Sequence, residues 1–228
     1  ATLRAQLRHA GMLRIDHILG FERAFWVPDG LQGTYVRMPR EAMLAVVRIE
    51  AARVGAVIVG EDLGNVPAGL RGALAESGIL GCQVAMFEPD RAGRDYSPAT
   101  LASFGTHDLP TWAGWRAGRD IAARVGIGSL AASDASRARQ DRSRDASRLL
   151  ARIGGASADD LHRFLATSAA RLVAVQAEDV LSVNDQPNLP GTVDEYPNWR
   201  RQLPVTSGAL ARDPRMKKTA RIMSAAGR

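Results

Sequence analysis

Three acidic residues each follow a short apolar run that predicts a β-strand. They are Asp16, Glu61 and Asp108. Because the carboxyl ends of parallel strands meet at one edge of a sheet, we expect these side chains to converge on one pocket. Glycosyl transfer and glycoside hydrolysis need such a set, since one carboxylate attacks the anomeric carbon while another protonates the leaving oxygen.

Each acid also has a structural alternative. An Asp or Glu at a strand end often caps the helix that follows, and capping or turn formation explains Asp62 well. Asp16 could equally pair with Arg14, two residues earlier. Three acids, two of them beside His17 and His107, favour a functional site. Metal binding is the weaker alternative, because the sequence has no His-x-His or His-Glu-x-x-His spacing.

The elements that must position these residues alternate between strand and helix patterns. Predicted strands cover 12–16, 56–60, 83–88, 101–105 and 179–183, and predicted helices cover 40–54, 67–77, 116–125, 133–153, 157–177 and a basic segment from Ser207. This rhythm favours an α/β fold with a parallel sheet of βαβ units. Five strands are too few for a complete (β/α)8 barrel. The pattern therefore leaves either a small open sheet or the later part of a barrel.

Composition argues against several classes of protein. The formal charge of +6 is not gathered into one basic cleft: residues 1–111 carry −1, 112–178 carry +4 and 179–228 carry +3. We therefore expect no nucleic-acid partner. No apolar run approaches the ~20 residues of a membrane span or forms a signal peptide, so we expect no membrane partner. The single cysteine, Cys82, excludes an internal disulfide framework and favours a cytoplasmic protein.

Four segments resemble the signatures of a known family. The 4-α-glucanotransferases (amylomaltase, or disproportionating enzyme) have a nucleophile segment similar to Arg14-Ile15-Asp16-His17 with Gly20-Phe21 and Trp26-Val27-Pro28. Their acid/base segment resembles Val59-Gly60-Glu61-Asp62-Leu63-Gly64, and their third-carboxylate segment resembles Thr106-His107-Asp108-Leu109-Pro110-Thr111. Their C-terminal signature resembles Asn188-Leu189-Pro190-Gly191-Thr192 with Tyr196-Pro197-Asn198-Trp199-Arg200. The segments follow the family's order and spacing, which makes the resemblance specific.

The resemblance implies a fold and an organisation. The segments with Asp16, Glu61 and Asp108 would follow the fourth, fifth and seventh strands of a (β/α)8 TIM barrel, so the chain would be the later part of that barrel, about strands 4–8, with a helical insertion. We expect barrel strands 4–7 in residues 1–111, the insertion in 112–178, and the last strand and C-terminal segment in 179–228. The expected partner is the missing N-terminal half of the barrel, or a second copy bound through exposed edges.

The resemblance also implies roles for single residues. Asp16 would be the nucleophile, Glu61 the general acid and then base, and Asp108 the group that holds sugar hydroxyls as positive charge develops. The expected substrate is a maltodextrin or another α-1,4-glucan, as in starch or glycogen. The residues expected to bind substrate are Arg14, His17, His107, Trp26, Tyr35 and Asn188. Trp26 is equally explained by core packing, and no cofactor or metal is expected.

Two other functions remain open at this point. The first is a glucan hydrolase of the α-amylase type, which uses the same carboxylate logic and would release reducing ends without an acceptor. The second is a non-catalytic glucan-binding protein, which the small number of predicted strands favours and the intact set of three acids opposes.

Overall fold

A computed structural model describes residues 1–228. The chain has a mixed α/β fold of ten α-helices, seven β-strands and three short 3₁₀ helices. The helices are α1 (Thr2–Gln6), α2 (Arg40–Val54), α3 (Leu70–Glu76), α4 (Trp112–Ala117), α5 (Arg119–Gly126), α6 (Ala132–Ile153), α7 (Ala158–Ala166), α8 (Ala177–Val180), α9 (Ser207–Leu210) and α10 (Pro214–Ala225). The strands are β1 (Met12–Ile15), β2 (Arg23–Trp26), β3 (Thr34–Arg37), β4 (Val57–Gly60), β5 (Gly81–Val84), β6 (Thr100–Ser103) and β7 (Leu172–Val173). The chain divides into two compact units, Ala1–Gln83 with Ser97–Leu101 and Val84–Tyr96 with Ala102–Arg228. None of the helices has the length and apolar character needed to span a membrane.

The first unit is organised by a strand–helix–strand motif. β1 and β4 are parallel, with Ile15 opposite Gly60, and α2 lies between them in the chain. α2 ends at Gly55, whose φ of 66° is left-handed and suits glycine. A parallel bridge joins Val59 of β4 to Leu80, the residue before β5. The core of this unit is aliphatic and contains Ile18, Leu44, Val47, Ile58, Leu70, Leu74 and Ile79.

An antiparallel hairpin, β2–β3, also belongs to the first unit and was not predicted. Its register places Phe25 opposite Tyr35, with the two rings 5.0 Å apart in an edge-on arrangement. Gly33 lies under the Phe25 ring, and a Cβ at this position would lie 2.5 Å from that ring and displace it. The turn signal was present in the sequence, since Pro28-Asp29-Gly30 between two apolar runs is typical of a hairpin connection.

The second unit is mainly helical and has an aromatic centre. Phe104 lies 5.1 Å from Trp112 and 5.7 Å from Trp115, measured between ring centroids. Arg142 of α6 joins this centre to α5, because its guanidinium donates to both carboxylate oxygens of the buried Asp120 at 2.8 and 2.7 Å. The bidentate geometry satisfies a charge pair that would otherwise be costly to bury.

Helices α7 and α10 pack against each other in the same unit. α7 begins with a capping box in which Ser157 and Asp160 bond reciprocally. His162, on the buried face of α7, lies 3.2 Å from the hydroxyl of Thr219 on α10. The guanidinium of Arg228 donates to carbonyl oxygens just after α7, including those of Ser168 and Ala170.

The strand predicted at 179–183 is wrong. Residues 177–180 form α8 instead, and the strand of this region is the two-residue β7. The Asp179 carboxylate accepts the backbone N–H of Trp112 at 2.6 Å, a tertiary contact that local pattern does not reveal. A short apolar run fits a buried helical turn as well as a strand.

Other predicted boundaries also need correction. The helix predicted over 157–177 ends at Ala166, and the backbone N–H of Ala169 donates to the carbonyl of Gly93 at 2.9 Å in place of a helical partner. The strand predicted at 83–88 ends at Val84 and continues as a 3₁₀ turn. The single C-terminal helix is two helices, since Asp213 caps α10 and Pro214 occupies its first position. The strands 12–16, 56–60 and 101–105 and the helix 40–54 are confirmed to within one or two residues.

Candidate active site

Asp16 and Glu61 follow directly on neighbouring parallel strands. The β1–β4 register pairs Ile15 with Gly60, the last residues of the two strands. Asp16 and Glu61 are the next residues along the chain, and adjacent strands lie about 4.8 Å apart. The first unit thus places the two acids at the ends of adjacent parallel strands.

Glu61 is buried and fixed by four backbone hydrogen bonds. Its carboxylate accepts the N–H of His17 through Oε2 at 2.8 Å and the N–H of Leu63 through Oε1 at 2.9 Å. Its own N–H donates to the carbonyl of Ile15, and its carbonyl accepts the N–H of Ile18. With only 9% of the residue exposed, Glu61 keeps one orientation beside the segment that carries Asp16.

Asp16 differs from Glu61 because its side chain is 63% exposed. Its Oδ1 forms an ion pair with Arg14 Nη1 at 2.6 Å, as expected for side chains two residues apart on one face of a strand. With its side chain 63% exposed, the Asp16 carboxylate stays accessible to a ligand while it pairs with Arg14. The alternative reading of Asp16 as an ion-pair partner is therefore compatible with a reactive role.

The turn after β1 aims a backbone N–H at Glu61. His17 has a left-handed conformation, with φ 47° and ψ 53°, which is uncommon for a residue with a Cβ. Ile18 follows it and is fully buried over β4. A Cβ on Gly60 would lie 2.7 Å from Ile18 Cδ1, so glycine at position 60 lets the turn close onto β4.

Asp62 connects the end of β4 to β5. Its Oδ1 accepts the backbone N–H of Cys82 at 2.8 Å, and its Oδ2 accepts from Arg71 Nε at 2.8 Å. Burial raises the pKa of the Cys82 thiol to about 11, and the positive charge of Arg14 opposes that rise. The prediction that Asp62 has a structural role is consistent with these contacts, although Asp62 bonds the next strand and not a helix terminus.

Asp108 lies in the second unit with its own set of partners. Its Oδ1 accepts a hydrogen bond from Asn188 Nδ2 at 2.5 Å, and its Oδ2 lies 3.5 Å from His107 Nε2. The His107 ring is 5.7 Å from the ring of Trp199, which is 63% exposed. Three residues predicted from the sequence, Asp108, His107 and Asn188, are thus brought together. Convergence of Asp108 with the two acids of the first unit stays a prediction.

The segment that presents Asn188 is held by its own side chains. Asn198 accepts the N–H of Leu189 at 2.9 Å, and its amide donates to the hydroxyl of Thr192 at 2.8 Å. The hydroxyl of Tyr196 donates to the carbonyl of Gln186 at 2.9 Å. Tyr196 and Asn198 therefore shape the loop that carries Asn188.

Trp26 and Tyr35 lie on the β2–β3 hairpin. Trp26 is 57% exposed, so core packing does not explain it. Tyr35 is 52% exposed, and the Arg23 guanidinium covers its ring at 4.2 Å from the centroid.

Some contributors to the site were missed from the sequence. The backbone N–H groups of His17 and Leu63 donate hydrogen bonds to the Glu61 carboxylate. Residue types alone do not reveal such backbone donors. Trp199 belongs to the C-terminal signature segment, but the residue pattern offered no reason to assign it a role. Its left-handed φ of 59° is a property of the folded loop. Gln176 donates to the carbonyl of Thr106 at 3.3 Å, a pairing across 70 residues that carries no local signal.

Comparison with known proteins agrees with the segments quoted above. A family model described as 4-α-glucanotransferase (glycoside hydrolase family 77) matches residues 1–206. The chain belongs to the 4-α-glucanotransferase family. Among curated relatives, the 4-α-glucanotransferase of Mycobacterium tuberculosis is 42% identical over 234 residues, which cover 90% of this chain and 32% of that protein. The 4-α-glucanotransferase of Haemophilus influenzae is 33% identical over 226 residues, which cover 87% and 32%.

Two solved structures resemble this chain in fold. The amylomaltase of Corynebacterium glutamicum superposes with a TM-score of 0.89 at 30% identity, covering 97% of this chain and 36% of that one. The amylomaltase of Streptococcus agalactiae, solved in complex with acarbose, superposes with a TM-score of 0.69 at 19% identity, over 99% of this chain and 43% of that one. This second likeness is one of fold. The chain spans about a third of the length of the 4-α-glucanotransferases that it matches.

Proposed function

We propose that this chain carries the reacting carboxylates of a 4-α-glucanotransferase, which transfers α-1,4-glucan segments between maltodextrins by a retaining double displacement. The observation that supports the proposal is the parallel β1–β4 register, in which Ile15 lies opposite Gly60, immediately before Asp16 and Glu61. Retaining enzymes hold their two carboxyl groups about 5–5.5 Å apart, whereas inverting enzymes need about 6.5–9.5 Å to admit a water. Neighbouring strands about 4.8 Å apart favour the retaining geometry.

The first half-reaction follows from the different surroundings of the two acids. The exposed carboxylate of Asp16 attacks the anomeric carbon, and Arg14 pairs with its Oδ1. The bond from that carbon to the leaving glucan oxygen breaks as Glu61 gives its proton to that oxygen. A glycosyl–Asp16 ester and a shortened glucan result.

The second half-reaction reverses these roles. Glu61, now a carboxylate, takes the proton of an acceptor sugar hydroxyl, and the acceptor oxygen attacks the anomeric carbon. The ester bond breaks and Asp16 leaves as a carboxylate, so two displacements give an α-1,4 product. In the proposal Asp108, held by Asn188, binds hydroxyls of the reacting sugar, with His107 beside it.

We also propose that the two units form the later part of a (β/α)8 barrel, about strands 4–8, and that the rest of the family's barrel completes the site. Support comes from β1, which pairs on one side with β4 and has no partner strand on its other edge. An unpaired edge exposes backbone N–H and C=O groups that favour a further strand. The expected occupant of this edge is the barrel portion that the relatives have outside the matched segment.

A disproportionation assay tests the proposal. The chain is incubated with maltotriose, alone and with the uncovered part of the M. tuberculosis relative, and glucose and longer maltodextrins are measured. We expect transfer in the mixture and little in the chain alone, because substrate loops from the whole barrel are needed to orient the sugars. Asp16→Asn should abolish transfer, and the exposed Asp29→Asn serves as the matched control.

Three outcomes would overturn parts of the proposal. Wild-type transfer by Asp16→Asn would refute the nucleophile assignment. Reducing ends that rise without longer products would identify a hydrolase. Full transfer by the chain alone would contradict the need for the remaining barrel.

A further inference from the structure

We propose that Thr111 and Asp179 form a clamp that positions Asp108 against Asn188 by joining the segments that carry them. Both are positioning residues, since neither is in contact with Asp108 itself. The catalytic meaning of the clamp rests on the proposed function, whereas the clamp itself is a property of the second unit.

The single hydroxyl of Thr111 both accepts and donates hydrogen bonds. The residue is completely buried, and its Oγ1 accepts the N–H of Gly114 at 3.0 Å, which caps α4. The same hydroxyl donates to the carbonyl of Val183 at 2.6 Å, across 72 residues of sequence. A helix cap needs only the acceptor, so the donated bond is an additional connection between the two segments.

Asp179 makes a second connection one residue further along. It is 3% exposed, and its Oδ1 accepts the backbone N–H of Trp112 at 2.6 Å. The packing between the two segments is also close, because a Cβ on Gly114 would overlap the carbonyl oxygen of Asn184. Side-chain hydrogen bonds and backbone packing therefore fix the start of α4 against residues 179–184.

The clamp lies a few residues from the pair it positions. Asp108 precedes Thr111 by three residues, and Asn188 follows Asn184 by four. The intervening loops are short, so fixing their bases restricts where the Asp108 carboxylate and the Asn188 amide can meet. Their hydrogen bond of 2.5 Å is the expected product of that restriction.

Hydrogen exchange followed by mass spectrometry tests the clamp in the 228-residue chain without requiring activity. Thr111→Val removes the hydroxyl and keeps the shape, and Thr111→Ser restores the hydroxyl. The control is Thr219→Val, which removes another buried hydroxyl of the same unit, the one bonded to His162. The reporting amides are those of Leu189 and Trp199, which bond the side chain of Asn198 and the carbonyl of Pro187.

We expect Thr111→Val to speed exchange of the reporting amides about tenfold, as loss of one buried hydrogen bond implies. Thr111→Ser and Thr219→Val should leave these amides at the wild-type rate. Wild-type exchange in Thr111→Val, or an equal acceleration in Thr219→Val, would overturn the clamp. Asp179→Leu should repeat the effect of Thr111→Val, and the absence of an effect would remove Asp179 from the clamp.

A kinetic measurement then separates the clamp from the proposed function. In a preparation that disproportionates maltotriose, Thr111→Val should lower kcat at least tenfold with rescue by Thr111→Ser, because Asp108 acts on the charge that develops during reaction. Unchanged kcat alongside faster loop exchange would overturn the catalytic meaning of the clamp. Complete absence of transfer by the wild type would count against the proposed function and would leave the exchange result standing.

Discussion

Two buried titratable groups of the second unit should respond to acid in opposite directions. His162 is 1% exposed, and its Nε2 has no hydrogen-bond partner; burial lowers the pKa of His162 to about 4. Asp179 is equally enclosed, and burial raises the pKa of its carboxyl to about 7. The hydrogen bond from Trp112 favours the charged form of Asp179 but does not offset burial.

The sign of each effect follows from comparing folded and unfolded states. The unfolded pKa of His162 is near 6.5, so the unfolded chain binds the proton first as the pH falls, and folding loses about 2 kcal/mol between pH 7 and pH 5. The unfolded pKa of Asp179 is near 3.8, so the folded chain binds the proton first and gains about 2 kcal/mol over the same interval. The two contributions offset each other in the wild type.

Substitution of one group should therefore reveal the pH dependence of the unfolding free energy that the other group causes. Relative to the wild type, His162→Gln should gain about 2 kcal/mol of unfolding free energy from pH 7 to pH 5, and Asp179→Asn should lose about the same. Urea unfolding at pH 7, 6 and 5 measures this through Trp112 and Trp115 fluorescence, with the exposed His9→Gln as control. If the free energies of all four proteins change in parallel with pH, the reasoning about both groups is refuted.

Two further substitutions test the packing that supports the site. Gly60→Ala should cost about 1–3 kcal/mol of unfolding free energy, because its Cβ would press on buried Ile18. The control Gly72→Ala, with nothing within 4 Å of the new Cβ, should be neutral or stabilise α3 by up to about 1 kcal/mol. Equal midpoints of thermal unfolding for the two variants would contradict this expectation. Arg142→Met should cost about 3–5 kcal/mol in urea unfolding, because the buried Asp120 loses its bidentate partner, and a cost below about 1 kcal/mol would show that Asp120 is satisfied in another way.

The sequence predicted best where local chemistry determines structure. α2 follows from its apolar spacing and from the left-handed Gly55 at its end, and both its ends were predicted correctly. β4 follows from a β-branched run. Likewise, Asp16 and Glu61 were predicted to stand at strand ends, and each follows the last residue of β1 or β4.

The sequence predicted least where contacts between residues far apart in the chain determine the local structure. Residues 179–183 have the composition of a strand, but Asp179 and Val180 end α8 and residues 181–182 form a turn. Asp179 bonds the backbone of Trp112, 67 residues away, a contact that the local sequence does not show. The Glu61 carboxylate is oriented by the amide of His17, and backbone donors are not encoded in residue type. The bond between Asn188 and Asp108 spans 80 residues and was not predicted, because the sequence indicated Asn188 only as a substrate-binding residue, through the family resemblance.

The central claim is that Asp16 is the nucleophile and Glu61 the acid and base, and trapping the covalent intermediate tests it most directly. Glu61→Gln is given a maltosyl fluoride donor, whose fluoride leaves without a proton from an acid, so the first displacement proceeds while the second lacks its base. The measurement is peptide mass spectrometry of the variant, in a preparation whose wild type disproportionates maltotriose. We predict a maltosyl adduct on Asp16; an adduct on another residue, or turnover of the donor by Glu61→Gln at the wild-type rate, would contradict the account.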